Sequence, residues 1–120
     1  MVSLFRYPKR KLKKLLQEGE YEEAIALGNS MESKFSEDPD FMFIMGSIYL
    51  IVEDAKKALF YFEKAFSLDS EDVEILSLKT NAHLALGEKD NAIACCKYIL
   101  KLQPKNTEAQ DLLAQLENID

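Results

Sequence analysis

Residues 41–52, FMFIMGSIYLIV, form a run in which only Gly46 and Ser47 interrupt large apolar side chains. The C-terminal end is patterned differently: Ala109, Leu112, Leu113, Leu116 and Ile119 recur at three- and four-residue intervals with polar residues between them. That spacing predicts an amphipathic helix, because residues three and four apart share one helix face. On a helical wheel of about 3.6 residues per turn, residues 41–52 instead show two apolar arcs. Met42, Met45, Gly46, Ile48, Tyr49 and Val52 share one, and Phe43, Ile44, Ser47, Leu50 and Ile51 share the other. A helix apolar all round is expected to be covered on both sides. The run is too short for a membrane span, which needs about 20 apolar residues, and acidic chain flanks it.

The pattern repeats with a period of 34 residues: Ala24, Ala58 and Ala92 are each followed by Ile or Leu. Gly19 and Gly87 precede the first and third alanines by five positions, and Glu53 stands at the middle equivalent. Met31, Ala65 and Ile99 keep the step, as do Leu15, Tyr49 and His83, and Leu12, Gly46 and Thr80. A period of this length marks a stack of supersecondary units, each too small to bury its own apolar face. Each unit reads as two helices joined by a tight turn, the middle one over about 41–52 and 55–68. Asp38 before Pro39 is a helix start, with Pro at the first helical position. Pro104 follows the last helix of the third unit, where a helix can no longer continue. Thr107 and Gln110 have capping-box spacing ahead of a terminal helix with a polar outer face.

These positions resemble the tetratricopeptide repeat family. Residues 39–72 carry Met45-Gly46, Tyr49, Ala58, Phe62 and Ala65 where the family has its signature residues; 73–106 carry Gly87, Ala92 and Pro104; 5–38 keep Gly19 and Ala24. The resemblance implies an all-α, right-handed superhelical stack: a single domain over 1–120, with repeats at 5–38, 39–72 and 73–106 and a capping helix at 107–120. Lys79 and His83 depart from the pattern, standing where the family has Leu and Tyr. Lys79 is expected to reach past the core to solvent, and His83 to pack rather than catalyse, since nothing in the sequence marks a proton-transfer partner.

The resemblance further implies a concave groove lined by the first helix of each pair. Its lining positions here are Lys9, Lys13, Leu16 and Gln17; Phe43, Ser47, Leu50 and Ile51; and Ser77, Asn81, Leu84 and Ala85. The expected groove is cationic at its N-terminal end, apolar in the middle and small-polar beyond, suiting a partner with apolar anchors and an acidic flank. Family members that clamp a terminal carboxylate use five positions, matched here by Lys9, Lys13, Ile44, Glu74 and Leu78. Only the first lysine survives, so no such clamp is expected. Cover for Leu50 and Ile51 could also come from within the chain, from the segment VSLF or the first helix.

Composition and charge narrow the function. The chain has 120 residues, 48% hydrophobic and 30% charged, with a net charge of −6. The first fourteen residues carry six cations and no acid, leaving nine Lys against 21 acids in the rest. An acidic body argues against general nucleic-acid binding. The basic start is expected to be a solvated face that offsets this body; contact with an anionic membrane or nucleic acid, helped by Phe5 and Tyr7, is the less favoured reading. Cys95 and Cys96 are adjacent and cannot staple the fold, so they are expected to be free thiols in a reducing compartment, Cys96 as a small core residue. No secretory leader is evident in the sequence, and a cytoplasmic protein is expected. No phosphate loop, metal-ligand spacing or nucleophile elbow is present, so the reading is not an enzyme, without cofactor or metal. The expected function is a protein–protein interaction module: an adaptor, scaffold or small chaperone. The alternative is a structural protein that self-associates through the same apolar surface.

Overall fold

The structure, a computed structural model, describes residues 6–118, with side chains from Pro8 onward. Among the described residues there are seven helices and no strand: α1 (Arg6–Gln17), α2 (Tyr21–Met31), α3 (Pro39–Ile51), α4 (Ala55–Leu68), α5 (Val73–Ala85), α6 (Lys89–Leu102) and α7 (Thr107–Asn118). The segment VSLF and Ile119, given roles in the sequence reading, lie outside the described residues, as do Phe5 and the side chain of Tyr7.

Local chemistry sets the helix starts. Asp38 accepts backbone N–H hydrogen bonds from Asp40 and Phe41 at 3.0 and 3.2 Å, with Pro39 at the first helical position. Asp72 does the same for Glu74 and Ile75 at 2.9 and 3.2 Å, and Asp54 accepts from Lys57 at 3.1 Å. Each satisfies donors that the first helical turn leaves unpaired. At α7 the expectation is corrected. Asn106, not Thr107, is the cap, its Oδ1 accepting from the Ala109 N–H at 2.9 Å. Gln110 turns away to donate to the Pro104 carbonyl at 2.9 Å. Thr107 is already the first residue of the helix, one position too late to cap it.

The turns inside the three hairpins are the same device used three times. The chain crosses to positive φ at Gly19 (77°), Glu53 (65°) and Gly87 (73°). In each, the next residue bonds back five positions, Glu20 to Leu15, Asp54 to Tyr49 and Glu88 to His83, at 2.9, 2.8 and 2.8 Å. This left-handed closure satisfies the last carbonyls of the first helix and reverses the chain.

Helices α1–α2, α3–α4 and α5–α6 pack as pairs, α2 meets α3, α4 meets α5, and α7 closes against α6. Helix α3 also touches α1 and α5 directly, so these three form an inner layer. The result is elongated, 51 × 26 × 23 Å. The alanines that carry the repeat, Ala24, Ala58 and Ala92, are each fully buried where small side chains let helices approach. One hairpin departs from the others: α2 ends at Met31, a turn short of the register of α4 and α6. The chain beyond it turns Phe35 inward, 5.7 Å from Phe41 in a stacked arrangement. The Tyr61 hydroxyl donates to Glu32 in the same turn.

The central apolar run is α3 and the residue after it. Phe41, Met42, Ile44, Met45, Gly46, Ile48 and Tyr49 are buried, because α3 has α2 and α4 behind it and α1 and α5 beside it. Two details differ from the wheel. Ile44, placed on the second arc, is buried with the core, and Val52, placed on the packing arc, is exposed because the helix has ended.

Candidate functional site

The inner layer carries the lining positions expected from the sequence, and its N-terminal end is charge-paired. Lys9 Nζ lies 2.8 Å from Asp38 Oδ2 and 3.6 Å from Asp40 Oδ2, and Lys13 Nζ lies 3.3 Å from the same Asp40 oxygen. Burial pushes the Asp38 carboxyl up, but hydrogen bonds from Lys9, Phe41 and Asp40 and the Lys9 charge outweigh it and hold the group below its ordinary range. The hydrogen bond to Asp38 raises Lys9 against the opposing effect of burial. Two lysines meet two aspartates, so the two lining cations read from α1 alone are charge-paired within the chain, while Arg10, Lys11 and Lys14 remain exposed.

Next along the inner layer stands Phe43, half-buried, its ring edge-on to Phe62 at 6.5 Å between centroids. It lines an open cavity of about 260 Å³ with Pro39, Asp40, Asp69, Asp72, Glu74 and Ile75. Ser47 does not offer its hydroxyl proton to a ligand; it donates to the Phe43 carbonyl at 2.9 Å. Leu50 is half-buried against the core, and Ile51 is 49% exposed. Ser77 and Asn81 come together in a second cavity, of about 350 Å³, with Asn106, Asp111, Leu112 and Gln115 on its wall. Leu84 packs instead beside Ala92, Cys96 and Leu116. The structure thus divides the nine residues singled out earlier: Lys9 and Lys13 paired at one end, Phe43 in one cavity, Ser77 and Asn81 in another, and Leu50, Ile51, Ser47 and Leu84 outside both linings.

The acidic lining was missed by sequence reasoning, though a signal existed. Asp40, Glu74 and Glu108 stand 34 residues apart, at the same register in α3, α5 and α7. Asp40 and Glu74 line the first cavity and Glu108 the second. The positions matched to a carboxylate clamp also fall apart: Ile44 is buried, Leu78 is half-buried against the core, and Glu74 brings a negative charge.

Four other residues took definite places. His83 is buried and its Nδ1–H donates to Glu88 at 2.9 Å, tying α5 to its own turn. That partner, unmarked in the sequence reading, comes from the loop that the repeat always folds back there. Lys79 is half-buried and holds its ammonium 4.6 Å from the Phe66 ring centroid, a cation–π arrangement. Cys95 and Cys96 are both buried free thiols, and burial pushes each up from its ordinary value. Among the described residues, no group of three or more His, Cys, Asp or Glu is arranged to hold a metal ion, and no helix is long and apolar enough to cross a membrane.

The family model described as tetratricopeptide repeat matches residues 49–116, more than half of the chain. The chain belongs to the tetratricopeptide repeat family. Solved tetratricopeptide structures share the fold. The first such domain of Spaghetti (RPAP3), bound to the HSP90 peptide SRMEEVD, is 24% identical, covers 92% of this chain and 87% of its own, and superposes with a TM-score of 0.83. The second such domain of human RPAP3, in complex with the HSP70 peptide SGPTIEEVD, is 21% identical over 92% of each chain at 0.82. The Yersinia enterocolitica type III secretion chaperone SycD, in complex with a peptide of the translocator YopD, is 14% identical over 98% of this chain and 89% of that one at 0.80. No curated protein matches the chain. At these identities the likeness of this tetratricopeptide repeat protein to the solved structures establishes the fold and leaves the ligand to the chain's own residues.

Proposed function

We propose that the chain is a non-catalytic protein–protein interaction module that holds a partner segment along α1, α3 and α5. The observation that carries this reading is the apolar surface that α3 leaves uncovered, half-buried Phe43 and Leu50 and exposed Ile51, with Phe43 opening into a cavity of about 260 Å³. Apolar surface left between polar rims is what a bound segment would cover. The peptide complexes of the two RPAP3 domains and of SycD support the same use of this fold. The proposed groove comprises Lys9, Lys13, Phe43, Ser47, Leu50, Ile51, Ser77, Asn81 and Leu84.

Partner capture by the wild type and by Phe43→Glu/Leu50→Glu tests this, with helical content checked by circular dichroism. Ile51→Glu, at an exposed position, serves where the double variant fails to fold. Loss of capture by a folded variant is expected, and undiminished capture would overturn the reading.

A second reading, self-association, is favoured by the charge of the two ends. Arg10, Lys11 and Lys14 are exposed on α1, whereas α7 carries Glu108, Asp111 and Glu117 and no cation. Head-to-tail contact between such ends generates open arrays. Light-scattering mass over a concentration series decides it: growth that salt abolishes supports this reading, and a constant monomer removes it.

A further inference from the structure

Resting on the groove reading above, we infer that the segment this groove takes is basic as well as apolar: an apolar residue seated at Phe43 with Lys or Arg placed along the carboxylates of α3, α5 and α7.

The occupant is chosen by charge complementarity. The linings of the two cavities contain Asp40, Asp69, Asp72, Glu74, Glu108 and Asp111, and neither contains a Lys or Arg. Lys9 and Lys13 reach Asp40 at 3.6 and 3.3 Å, and although Asp38 draws Lys9 to 2.8 Å, Lys13 stays on Asp40, so the charge offered to a partner rests chiefly on Glu74, Glu108 and Asp111. Asp40, Glu74 and Glu108 repeat with the period of the fold itself, so their charge runs along the groove rather than collecting at one point. Acids in a first helical turn are favoured by the helix dipole. That explains why the helices accept them, and it leaves their charge facing the groove.

An acidic terminal segment meets the opposite situation. Both RPAP3 domains hold peptides ending in EEVD. Here such a tail would approach Glu74 and Glu108, and like charges brought together across an interface oppose binding.

The test begins with selection of a displayed random peptide library on the wild-type chain. Fluorescence anisotropy then compares the enriched peptide with a twin in which every Lys and Arg is replaced by Glu. The expected result is an enriched peptide with several Lys or Arg around an apolar residue, binding at least about tenfold more tightly than its twin and weakening as salt rises. Glu74→Lys/Glu108→Lys is expected to erase or invert that preference. Both side chains are exposed, and neither caps a helix as Asp38 and Asp72 do.

Enriched peptides that are acidic, yet lost on Ile51→Glu, would overturn this inference while the groove reading stands. Failure to enrich any peptide, or binding indifferent to both Phe43→Glu and Ile51→Glu, would overturn both. A dimer in solution that Glu74→Lys disperses would make the occupant a second copy of the chain and overturn the inference.

Discussion

Gly46 of α3 lies so close to Phe62 of α4 that a β-carbon on the glycine would stand 2.5 Å from the Phe62 Cε1 atom. Phe62 is fully buried and cannot swing aside. Gly46→Ala gains helix propensity of up to about 1 kcal/mol but forces an overpacked contact costing about 1–3 kcal/mol. Net destabilisation is expected in urea unfolding. Gly28→Ala should be milder, because the atoms it meets are the flexible end of Met45. Equal losses at the two positions would show that ring rigidity is not what decides the cost.

Glu53 occupies, with φ 65°, the left-handed turn position that Gly19 and Gly87 fill in the other hairpins. A side chain there costs about 1–2 kcal/mol relative to the right-handed region, a cost glycine avoids. Glu53→Gly is expected to stabilise the chain by about 1 kcal/mol, partly offset by the freer unfolded chain. A denaturation midpoint that stays put or falls would contradict this.

The Lys9–Asp38 pair joins α1 to the start of α3. Asp38 is held below its ordinary value of 3.8, so its contribution is present above that value and is lost as pH falls through the lowered one. Lys9 is raised above 10.5, so its contribution is present below that value and is lost as pH rises through the raised one. Asp38→Asn keeps a capping side chain and removes the charge. The variant should be less stable than the wild type by about 0.5–1 kcal/mol near neutrality. The difference should shrink in strong acid and again in strong base. A difference that is the same at pH 3 as at pH 7 would remove the charged pair as its source.

The cap of α7 separates two neighbouring residues. Asn106→Ala loses the hydrogen bond to the Ala109 N–H and should cost about 1 kcal/mol. Thr107→Ala should change stability by less than about 0.5 kcal/mol, as surface substitutions away from such features do. Thermal unfolding of the two variants reads this directly, and the reverse order would restore Thr107 as the cap.

Much of this protein was legible in the sequence because the repeat is written in residues that local geometry demands. Alanine recurs where helices touch, glycine where the chain turns left-handed, and aspartate at the starts of α3, α4 and α5. Periodicity placed the helices within a few residues, and on α3 it separated most of the buried arc from Phe43, Leu50 and Ile51, which keep exposure, while misplacing Ile44 and Val52. The 34-residue step carried Asp40, Glu74 and Glu108 too, but acids at helix starts carry an ordinary local explanation, and their shared surface emerges only when the helices are stacked.

Tertiary structure decided what a single helix cannot express. Lys9 and Lys13 read as free cations within α1; only the docking of α3 brings Asp38 and Asp40 against them, while Arg10, Lys11 and Lys14 stay exposed. Ile44 sits at the edge between two arcs on a wheel, and neighbours contributed by other helices bury it. Phe35 turns inward because α2 stops a turn early, a matter of packing against Phe41 that no pattern within α2 announces. Periodicity is a property of one helix and its sequence, whereas charge pairing, cavity shape and burial at a helix edge depend on residues brought together from different helices.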